Sequence, residues 1–551
     1  MQRTRLLPAL ALATFLLALP ALLQGCAKAR RAGAPLAVPA GGFELVLLHT
    51  NDTHTYIAGA DASGRACFKE DGCYGGYARI SQAIKDEKAK GGSVLALDAG
   101  DQMQGTIFFA TGKAPLIASL QKRMPYDFST LGNHEFDEGC PALARFLAEL
   151  PYGVLACNLK PDKGCPLASA PVKPWAVREF QGVKVGVFGI ANDEPVGTSD
   201  ACKSTKFLDR RQAAQQAVRE LEARGCRIIV AVTHIGLEDD LALARSVDGI
   251  DVIVGGHSHS YLGPETNGGL KEKPEGPYPL VASSPSGKPV LVVTAKFQTR
   301  YLGRLDVAFD AEGKACAWQG GPILLGPDAP RDPEISALVA PKGEELERLR
   351  KDRLFENGVD MPDGIEACRQ GECLAGILAA DAFLEFGRPH GATIALMHAG
   401  GVRSSLPSGW VSRGDMLSVH PFASHVAVKE ITGATIIEAL ENSVADGHDG
   451  AYLLQPAGLS FVLDMRRPSG HRLVKAEAMG ADGRMHALNP KARYCVAMAD
   501  FLARGSGGHP MLGRGRTIAL SDETERELVE RHAARISPLR TIGTGRFEIL
   551  R

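Results

Sequence analysis

The feature that most constrains the fold is a series of short apolar runs that are rich in Val, Ile and Leu. Helical stretches rich in Ala, Glu and Arg, such as residues 211–224, lie between several of these runs. An alternation of strand and helix signals predicts a layered α/β architecture. The runs cover residues 45–48, 94–97, 185–190, 227–232, 252–254 and 290–294.

Polar residues that can bind metal ions follow five predicted strands directly. Because α/β sheets build their sites at the carboxyl ends of their strands, we expect these side chains to meet. Carboxylate, amide and imidazole donors without thiolates suit two divalent ions that together clamp a phosphoryl group. The strand-end residues are Asp52 and His54, then Asp101, then Asn133 and His134, then His234, and finally His257 and His259.

Length and charge bound the class of protein. A chain of 551 residues predicts two or more domains, and 45% apolar with 23% charged residues is ordinary globular composition. Lys and Arg number 62 against 63 Asp and Glu, so no net field attracts a polyanion. We therefore expect no nucleic-acid polymer as a partner, whereas a small phosphorylated ligand fits.

The first 26 residues have the pattern of an export signal. Arg3 and Arg5 precede the apolar stretch 6–23, and Gly25-Cys26 follows. This pattern resembles a bacterial lipoprotein signal, in which Cys26 would be lipidated, although Gln24 stands where a small residue is usual. Plain secretion and an uncleaved anchor stay open as alternatives. We expect an exported protein, periplasmic, secreted or held in the cell envelope by a lipid anchor.

Domain boundaries follow from shifts in composition. Residues 27–42 are rich in Ala, Pro and Gly and predict a tether, and the first domain is expected at 43–330. A charged helix at 331–352 would join it to a second α/β unit at 353–551. The Gly/Pro/Ser-rich stretch 261–289 is expected to be a surface loop.

Cysteine usage fits an oxidising compartment. Without Cys26, eleven of the 12 cysteines remain, so at least one is expected to be unpaired. Neither close pair has the two-residue spacing of a zinc site, and each predicts a disulfide. The pairs are Cys67 with Cys73 and Cys368 with Cys373.

In chain order, the strings DTH, GDQMQG, GNHEFD, TH and GHSH resemble the calcineurin-like metallophosphoesterases, specifically their 5′-nucleotidase branch. The resemblance extends from Phe43 to the C-terminus. It implies a four-layer N-terminal β-sandwich flanked by helices, a linker helix and a C-terminal α/β substrate-binding domain.

The resemblance also implies roles for individual residues. His134 and Asp137 would form the catalytic pair, beside two divalent metal ions, with Zn, Mn or Co expected. One ion would be held by Asp52, His54 and His259, the other by Asn133, His234 and His257, with Asp101 bridging them.

The second domain carries a different set of residues. Gly400 and Gly401 would let the backbone approach a ligand while Arg403 binds phosphate, and Arg369 lies inside the short cysteine loop. In the family, two aromatic residues that match Phe422 and Phe501 sandwich the nucleobase. This chain departs from animal relatives at His398, where they carry Asn, and at Gly507, where they carry Asp.

Three polar residues near these motifs are expected to be structural. His49 would be a packed strand residue, Asp98 a supporting carboxylate, and Glu135 a cap at a helix N-terminus.

The function implied is release of phosphate from nucleoside 5′-monophosphates. Alternatives in the same superfamily are a 2′,3′-cyclic-nucleotide phosphodiesterase with 3′-nucleotidase activity, a nucleotide-sugar or diphosphate hydrolase, and a thiosulfohydrolase. The two phenylalanines argue against the last, because a sulfur substrate needs no platform for a base. The alternative of another class is an inactive surface lipoprotein that binds nucleotides.

Overall fold

The computed structural model describes residues 36–193, 205–360, 364–448, 450–480 and 482–551, without the side chains of 364–366. The expected signal segment 1–26, including Cys26, lies outside the described residues. Within the described ranges, no helix combines the length and apolar character needed to cross a membrane.

The N-terminal half begins with a strand that contains the first apolar run, and each of the other five runs also coincides with a strand to within two residues. Its elements are, in chain order, β1 (Phe43–Thr50), α1 (Tyr77–Ala89), β2 (Val94–Asp98), α2 (Ile107–Gln121), β3 (Phe128–Ser129), α3 (Gly139–Leu147), β4 (Gly153–Leu155), β5 (Leu159–Pro161), β6 (Val172–Lys173), β7 (Trp175–Phe180), β8 (Val183–Ile190), β9 (Thr205–Phe207), α4 (Arg210–Glu222), β10 (Ile228–Thr233), α5 (Leu237–Ser246), β11 (Val252–Val254), β12 (Thr266–Asn267), β13 (Leu270–Lys271), β14 (Leu280–Ser283), β15 (Pro289–Val293), β16 (Tyr301–Phe309) and β17 (Ala315–Leu324).

Two sheets pack face to face in this half. One has the strand order β17-β16-β1-β2-β3-β4-β6, and the other has β14-β15-β11-β10-β8-β7. Leu45, Leu97, Val187, Val232 and Val254 are among the fully buried residues between them. Apolar clusters that include residues of α2 and α3, and of α4 and α5, cover the outer faces. The expected four-layer sandwich is confirmed.

Parallel strands occupy the centre of both sheets. Strands β1, β2, β3 and β4 run parallel in one sheet, and β8, β10, β11 and β15 run parallel in the other. Strand β10 is buried at every position because sheet and helix cover its two faces. The carboxyl ends of these strands therefore place their polar residues at one end of the sandwich.

The surface loop expected at 261–289 is only partly a loop. It contains the β12–β13 hairpin, and β14 pairs antiparallel with β15 as the edge strand of the second sheet. Strand β14 alternates between exposed and more buried positions, a pattern that its Gly- and Pro-rich surroundings conceal in the sequence. The prediction of a loop was wrong for β14, because this edge strand forms only by pairing with β15.

A long helix, α6 (Pro333–Leu349), follows the sandwich at the position expected for the linker. The Asp332 side chain caps it by accepting from the Glu334 backbone N–H, and Ser81 Oγ and Lys85 Nζ also donate to this carboxylate. Val339 and Leu346 are buried in the same cluster as α2. The first turn and inner face of the helix are thus fixed to the first half.

The C-terminal half contains a five-stranded sheet, β22-β19-β26-β21-β27, and a four-stranded sheet, β25-β24-β23-β28. Its elements are β18 (Arg353–Asn357), α7 (Gly364–Gln370), α8 (Leu374–Gly387), β19 (Ile394–His398), β20 (Gly409–Ser412), α9 (Arg413–Val419), β21 (His425–Thr432), α10 (Gly433–Asn442), β22 (Leu454–Ala457), β23 (Leu459–Asp464), β24 (Leu473–Met479), β25 (Met485–Ala487), β26 (Arg493–Ala499), α11 (Asp500–Ala503), β27 (Arg516–Thr524), α12 (Glu525–Arg535) and β28 (Phe547–Leu550).

The two halves meet at α9. Leu417 of this helix is buried in the apolar cluster that contains residues of α2 and α6. At the start of α9, Arg413 forms ion pairs of 2.8 Å with Asp352, just after the linker helix, and with Glu530 of α12. Helix α9 thus joins the second half to the linker helix and to the first half.

Both expected disulfides are present, Cys67–Cys73 and Cys368–Cys373. Cys140 is also disulfide-bonded. The expectation of at least one unpaired thiol is confirmed too, since the described residues include five free cysteines, Cys157, Cys165, Cys226, Cys316 and Cys495.

Replacing both Cys67 and Cys73 by Ser is expected to lower the free energy of unfolding by about 2 kcal/mol, because a closed loop of this length restricts the unfolded chain. Urea unfolding of protein exported to an oxidising compartment measures the change. Cys316→Ser is the control, since it removes an exposed free thiol and is expected to leave stability unchanged. Equal stability of the double variant and the control would contradict the prediction.

Candidate metal centre and substrate cleft

Donor atoms from both sheets converge at the carboxyl ends of the central strands. Three groups of side chains place their possible ligand atoms within 4.8 Å of one another. Asp101 belongs to two groups and His54 to two, so the groups form one continuous centre. The groups are Asp52 with His54 and His259, His54 with Asp101 and His134, and Asp101 with His234 and His257.

Backbone strain is concentrated at these positions. Asp52, His54, Asp101, His257 and His259 all have positive φ angles, although none is glycine. Each left-handed non-glycine residue costs about 1–3 kcal/mol and persists only where the surroundings impose it. Five of the seven expected metal ligands are therefore held in conformations that the sequence alone would avoid.

Gly132 shows how closely the loops approach one another. A Cβ atom at this position would lie 2.0 Å from Asp101 Oδ1, a distance that excludes every other residue type. The carboxylate also accepts a hydrogen bond of 3.0 Å from the His134 backbone N–H. Glycine in the GNHE segment thus lets the loops after β2 and β3 share one carboxylate.

Hydrogen bonds to the backbone set the imidazole tautomers. His234 Nδ1 lies 2.6 Å from the Ala99 carbonyl oxygen, and His54 Nδ1 lies 3.2 Å from that of Met103. A carbonyl oxygen only accepts, so each Nδ1 carries a proton, and each Nε2 can offer a lone pair to a cation that displaces any proton there.

The arrangement of lone pairs fits divalent cations. His54 Nε2 and His259 Nε2 lie 2.9 Å apart. His234 Nε2 is buried 3.1 Å from Asp101 Oδ2 but makes no hydrogen bond of acceptable geometry. Imidazole nitrogen and carboxylate oxygen are the donors that zinc, manganese and cobalt accept. The residues present can hold such ions.

The charges of these groups depend on one another. Burial alone would raise the pKa of Asp52, yet the imidazoles of His234 and His259 bring it down to about 2. Burial alone would lower the pKa of His234, yet Asp101 and Asp52 raise it to about 10. The carboxylates thus create a buried negative potential that attracts positive charge, whether protons or metal ions.

Three supporting residues lie around the centre, and one differs from expectation. Glu135 does not cap its own short helix; its carboxylate accepts from the backbone N–H groups of Asp101, Gln102 and Gly132 at 2.7–3.0 Å. Burial and the nearby Asp101 raise the pKa of Glu135 to about 7. His49 is packed as expected, with Nε2 2.8 Å from Tyr278 Oη, and Asp98 accepts from Thr50 Oγ1 at 2.6 Å.

The expected catalytic pair is in contact. His134 Nδ1 lies 2.8 Å from Asp137 Oδ2, and the His134 ring lies 5.4 Å from the His54 ring. Burial lowers the pKa of His134, but Asp137 and Asp101 outweigh it and raise the pKa above the ordinary value. The pair can therefore present a positively charged imidazole next to the metal centre.

An arginine from the second half lies near this pair, since Arg403 interacts electrostatically with both His134 and Asp137. Burial and the neighbouring Arg369 lower the pKa of Arg403, whereas Asp137, Tyr56 and Asp101 raise it. The interactions with Asp137 and Asp101 indicate that Arg403 lies close to the metal centre. Two guanidinium groups that repel each other there form a suitable site for an anion.

The expected base-binding residues lie deeper in the second half. The His398 ring lies 5.8 Å from the Phe501 ring, and its buried Nδ1 has no hydrogen-bond partner in the described structure. Burial, then His509 and Arg403, lower the pKa of His398 to about 3, so it is neutral at pH 7. Phe422 is half-buried between α9 and β21, and it contacts no other aromatic ring in the described part of the chain.

Phe297 is a residue that sequence reasoning missed. Its ring stacks on that of His259 at 4.4 Å with an interplanar angle of 10°. Its neighbours Lys296, Gln298 and Thr299 all have positive φ angles. The sequence does show an aromatic residue a few positions after β15. Its stacking partner, His259, follows a different strand, so the contact is not visible in the sequence.

Comparisons with known proteins agree over most of the chain. Residues 45–261 match the family model for calcineurin-like phosphoesterases, and residues 358–514 match the model for the 5′-nucleotidase C-terminal domain. Human 5′-nucleotidase is 33% identical over 513 residues, which cover 88% of this chain and 89% of the human protein. Snake venom 5′-nucleotidase of Crotalus adamanteus is 32% identical, with 87% and 84% covered.

A solved structure supports the same relation. The crystal structure of a 5′-nucleotidase precursor from Thermus thermophilus superimposes with a TM-score of 0.83 at 33% identity. The match covers 92% of this chain and 99% of the Thermus chain.

Removal of divalent metal is expected to abolish phosphate release from a phosphate ester, because the converging donors need cations to complete the centre. Addition of Zn, Mn or Co to the stripped protein is expected to restore it. Phosphate release before and after chelation, together with elemental analysis, measures the effect. Full activity in protein shown to be metal-free would contradict the prediction.

Proposed function

The chain belongs to the 5′-nucleotidase family and is a hydrolase of phosphoric esters, and we propose that it is an exported enzyme releasing phosphate from nucleoside 5′-monophosphates. The observation that carries this proposal is the proximity of an arginine of the second half to the metal centre of the first. Arg403 interacts electrostatically with Asp137 and Asp101 of the first half, so an anion-binding group lies close to the metal-binding groups.

We assign the donors to two ions. Asp52, His54 and His259 would hold one, Asn133, His234 and His257 would hold the other, and Asp101 would contribute to both. The grouping of the ligand atoms supports this assignment, and His257 Nδ1 lies 3.2 Å from Asn133 Oδ1. Two such ions would lower the pKa of a water molecule and neutralise charge on phosphoryl oxygens.

His134 and Asp137 assist the reaction from the open side of the centre. Asp137 accepts from His134 Nδ1, which orients the ring and favours its protonated form. The other ring nitrogen can then donate to a phosphoryl oxygen or protonate the leaving 5′ oxygen.

Recognition of the nucleotide falls to the second half. Arg369 and Arg403 bind the phosphate, and Phe422 and Phe501 hold the base by stacking. The neutral His398 offers its unpartnered Nδ1 beside the Phe501 ring. Gly507 provides no side chain for the ribose hydroxyls.

Export is supported by several observations. The pattern of residues 1–26, with Cys26 as the lipidated residue, fits a lipid-anchored or released envelope protein. The Cys67–Cys73 and Cys368–Cys373 disulfides fit an oxidising compartment, and one relative is named as a venom protein. We propose that the two domains span residues 43–330 and 353–551 and that residues 331–352 link them.

A substrate panel tests the function directly. Phosphate release from AMP and UMP is expected to exceed that from 2′,3′-cyclic AMP, ADP and UDP-glucose. Phosphate leaves 2′,3′-cyclic AMP only after the ring is opened and the resulting 3′-phosphate is removed. If this substrate released phosphate fastest, the protein would be the phosphodiesterase with 3′-nucleotidase activity. No release from any of them by metal-loaded protein would favour the inactive nucleotide-binding alternative.

His134→Ala is expected to reduce kcat for AMP by about 100-fold or more, in line with typical acid-base contributions, while metal content stays at the wild-type level. Steady-state kinetics and elemental analysis of the same preparation measure both. The control is His486→Ala, which removes an exposed histidine paired with Asp482 and is expected to leave kcat unchanged. Loss of metal in the His134 variant would show that the residue is a ligand.

Base recognition is expected to depend on stacking more than on the sugar hydroxyls. Phe501→Ala should lower kcat/KM for AMP, dAMP and UMP alike, because one base-stacking ring is worth roughly 1–3 kcal/mol, while para-nitrophenyl phosphate is hardly affected. Wild-type protein should hydrolyse dAMP nearly as well as AMP. A hundredfold preference for AMP would show that another residue binds the ribose.

A further inference from the structure

A buried lysine lies behind the expected base-binding loop. Lys429 is in the middle of β21, between Ala427 and Ile431 on the same face of the strand, and only 3% of it is exposed. Its Nζ donates to the carbonyl oxygens of Ala503 at 2.7 Å, Leu512 at 2.9 Å and Gly513 at 2.7 Å. All three ammonium N–H groups are therefore used, and none pairs with a carboxylate of the residues that the structure describes.

The three acceptors have a common origin. Ala503 is the last residue of α11, and Leu512 and Gly513 end the 3₁₀ helix Pro510–Gly513. Carbonyl groups at the end of a helix have no partner within it and need an outside donor. The ammonium group supplies that donor and joins the start of the loop 504–513 to its end.

This loop lies directly against Phe501. The Ser506 backbone N–H donates to the Phe501 carbonyl at 3.2 Å. A Cβ atom on Gly507 would lie only 2.8 Å from Phe501 Cε1, so the loop backbone touches the edge of the ring. Asn442 Nδ2 gives the middle of the loop a further tie by donating to the Gly508 carbonyl at 2.6 Å.

The other aromatic side chain of the expected base site is linked to the same strand. Phe422 precedes β21 by three residues, and Lys429 lies farther along that strand. Strand β21 is thus linked to both aromatic residues. The segment with Phe422 leads into the strand, and Lys429 of the strand holds the loop next to Phe501.

We propose that Lys429 is a positioning residue for nucleobase recognition, which fixes the loop 504–513 and hence the Phe501 ring through three carbonyl oxygens. The inference rests on the proposed function, because it requires Phe501 to stack on a base. Lys429 itself touches neither the base nor the phosphate; it acts through the loop.

The first test is Lys429→Met, which keeps the length of the side chain and removes its charge and donors. KM for AMP is expected to rise by about tenfold, within the range that one stacking ring contributes, while kcat changes less than about twofold. Hydrolysis of para-nitrophenyl phosphate, which carries no nucleobase, is expected to stay at the wild-type level.

A double-mutant cycle separates positioning from general destabilisation. In the Phe501→Ala background, Lys429→Met is expected to raise KM no further, because residues that act through one another are not additive. Additive effects of the two substitutions would overturn the proposal. Val529→Ala is the matched control, since Val529 is fully buried in the same half on α12, and it should lower Tm without changing KM.

Hydrogen exchange without nucleotide gives a readout that does not depend on the reaction. Amides of residues 504–513 are expected to exchange faster in Lys429→Met, while those of β10 in the other half stay protected. If Lys429→Met does not fold, Lys429→Gln replaces it, because glutamine keeps some of the N–H donors of lysine. This variant is expected to raise KM for AMP too, but by less than Lys429→Met.

Two failures can be told apart. If wild-type protein releases no phosphate from any nucleoside monophosphate, the proposed function is wrong. If wild-type protein hydrolyses AMP normally and Lys429→Met leaves both KM and loop exchange unchanged, only the role of Lys429 is wrong.

Discussion

The structure depends on the convergence of imidazole and carboxylate groups that need shared positive charge, from metal ions or from protons. Two imidazole Nε2 atoms, from His54 and His259, lie 2.9 Å apart, and two buried carboxylates lie among the same rings. No single loop could hold such a cluster. It requires two sheets whose central parallel strands end at the same level, each strand delivering one or two side chains. The packed core of the sandwich is therefore the rigid support that keeps unfavourable neighbours together.

The same requirement explains the unusual backbone around the centre. Left-handed residues and close approaches such as that of Gly132 to Asp101 turn side chains inward at the ends of straight strands. Glu135 then fixes two of the loops by accepting from three backbone N–H groups. Strain at the strand ends is offset by burial of Leu and Val between the sheets, each contributing roughly 1.5–3 kcal/mol.

What could be predicted from the sequence was local in origin. The apolar runs identified the central strands, because a strand covered on both faces must be apolar throughout. The polar residues after them identified the centre, because strand ends of one sheet are neighbours. Glu135 and Lys429 were beyond this reasoning, since their partners are backbone groups that come close only after folding. The edge strand β14 was missed for a similar reason: its pattern has meaning only beside β15.

The division of the cleft between two separately packed halves has a consequence for how such a protein can diversify. The C-terminal half has its own apolar core, and the groups around Phe501, His398 and Lys429 all belong to it. The donors around Asp101 belong to the other half. Mutations that reshape the pocket in one half need not disturb the strained loops of the other. Substitutions that change which ligand is preferred can therefore accumulate in the C-terminal half during evolution. The residues around Asp101 that carry out hydrolysis stay under the same selection.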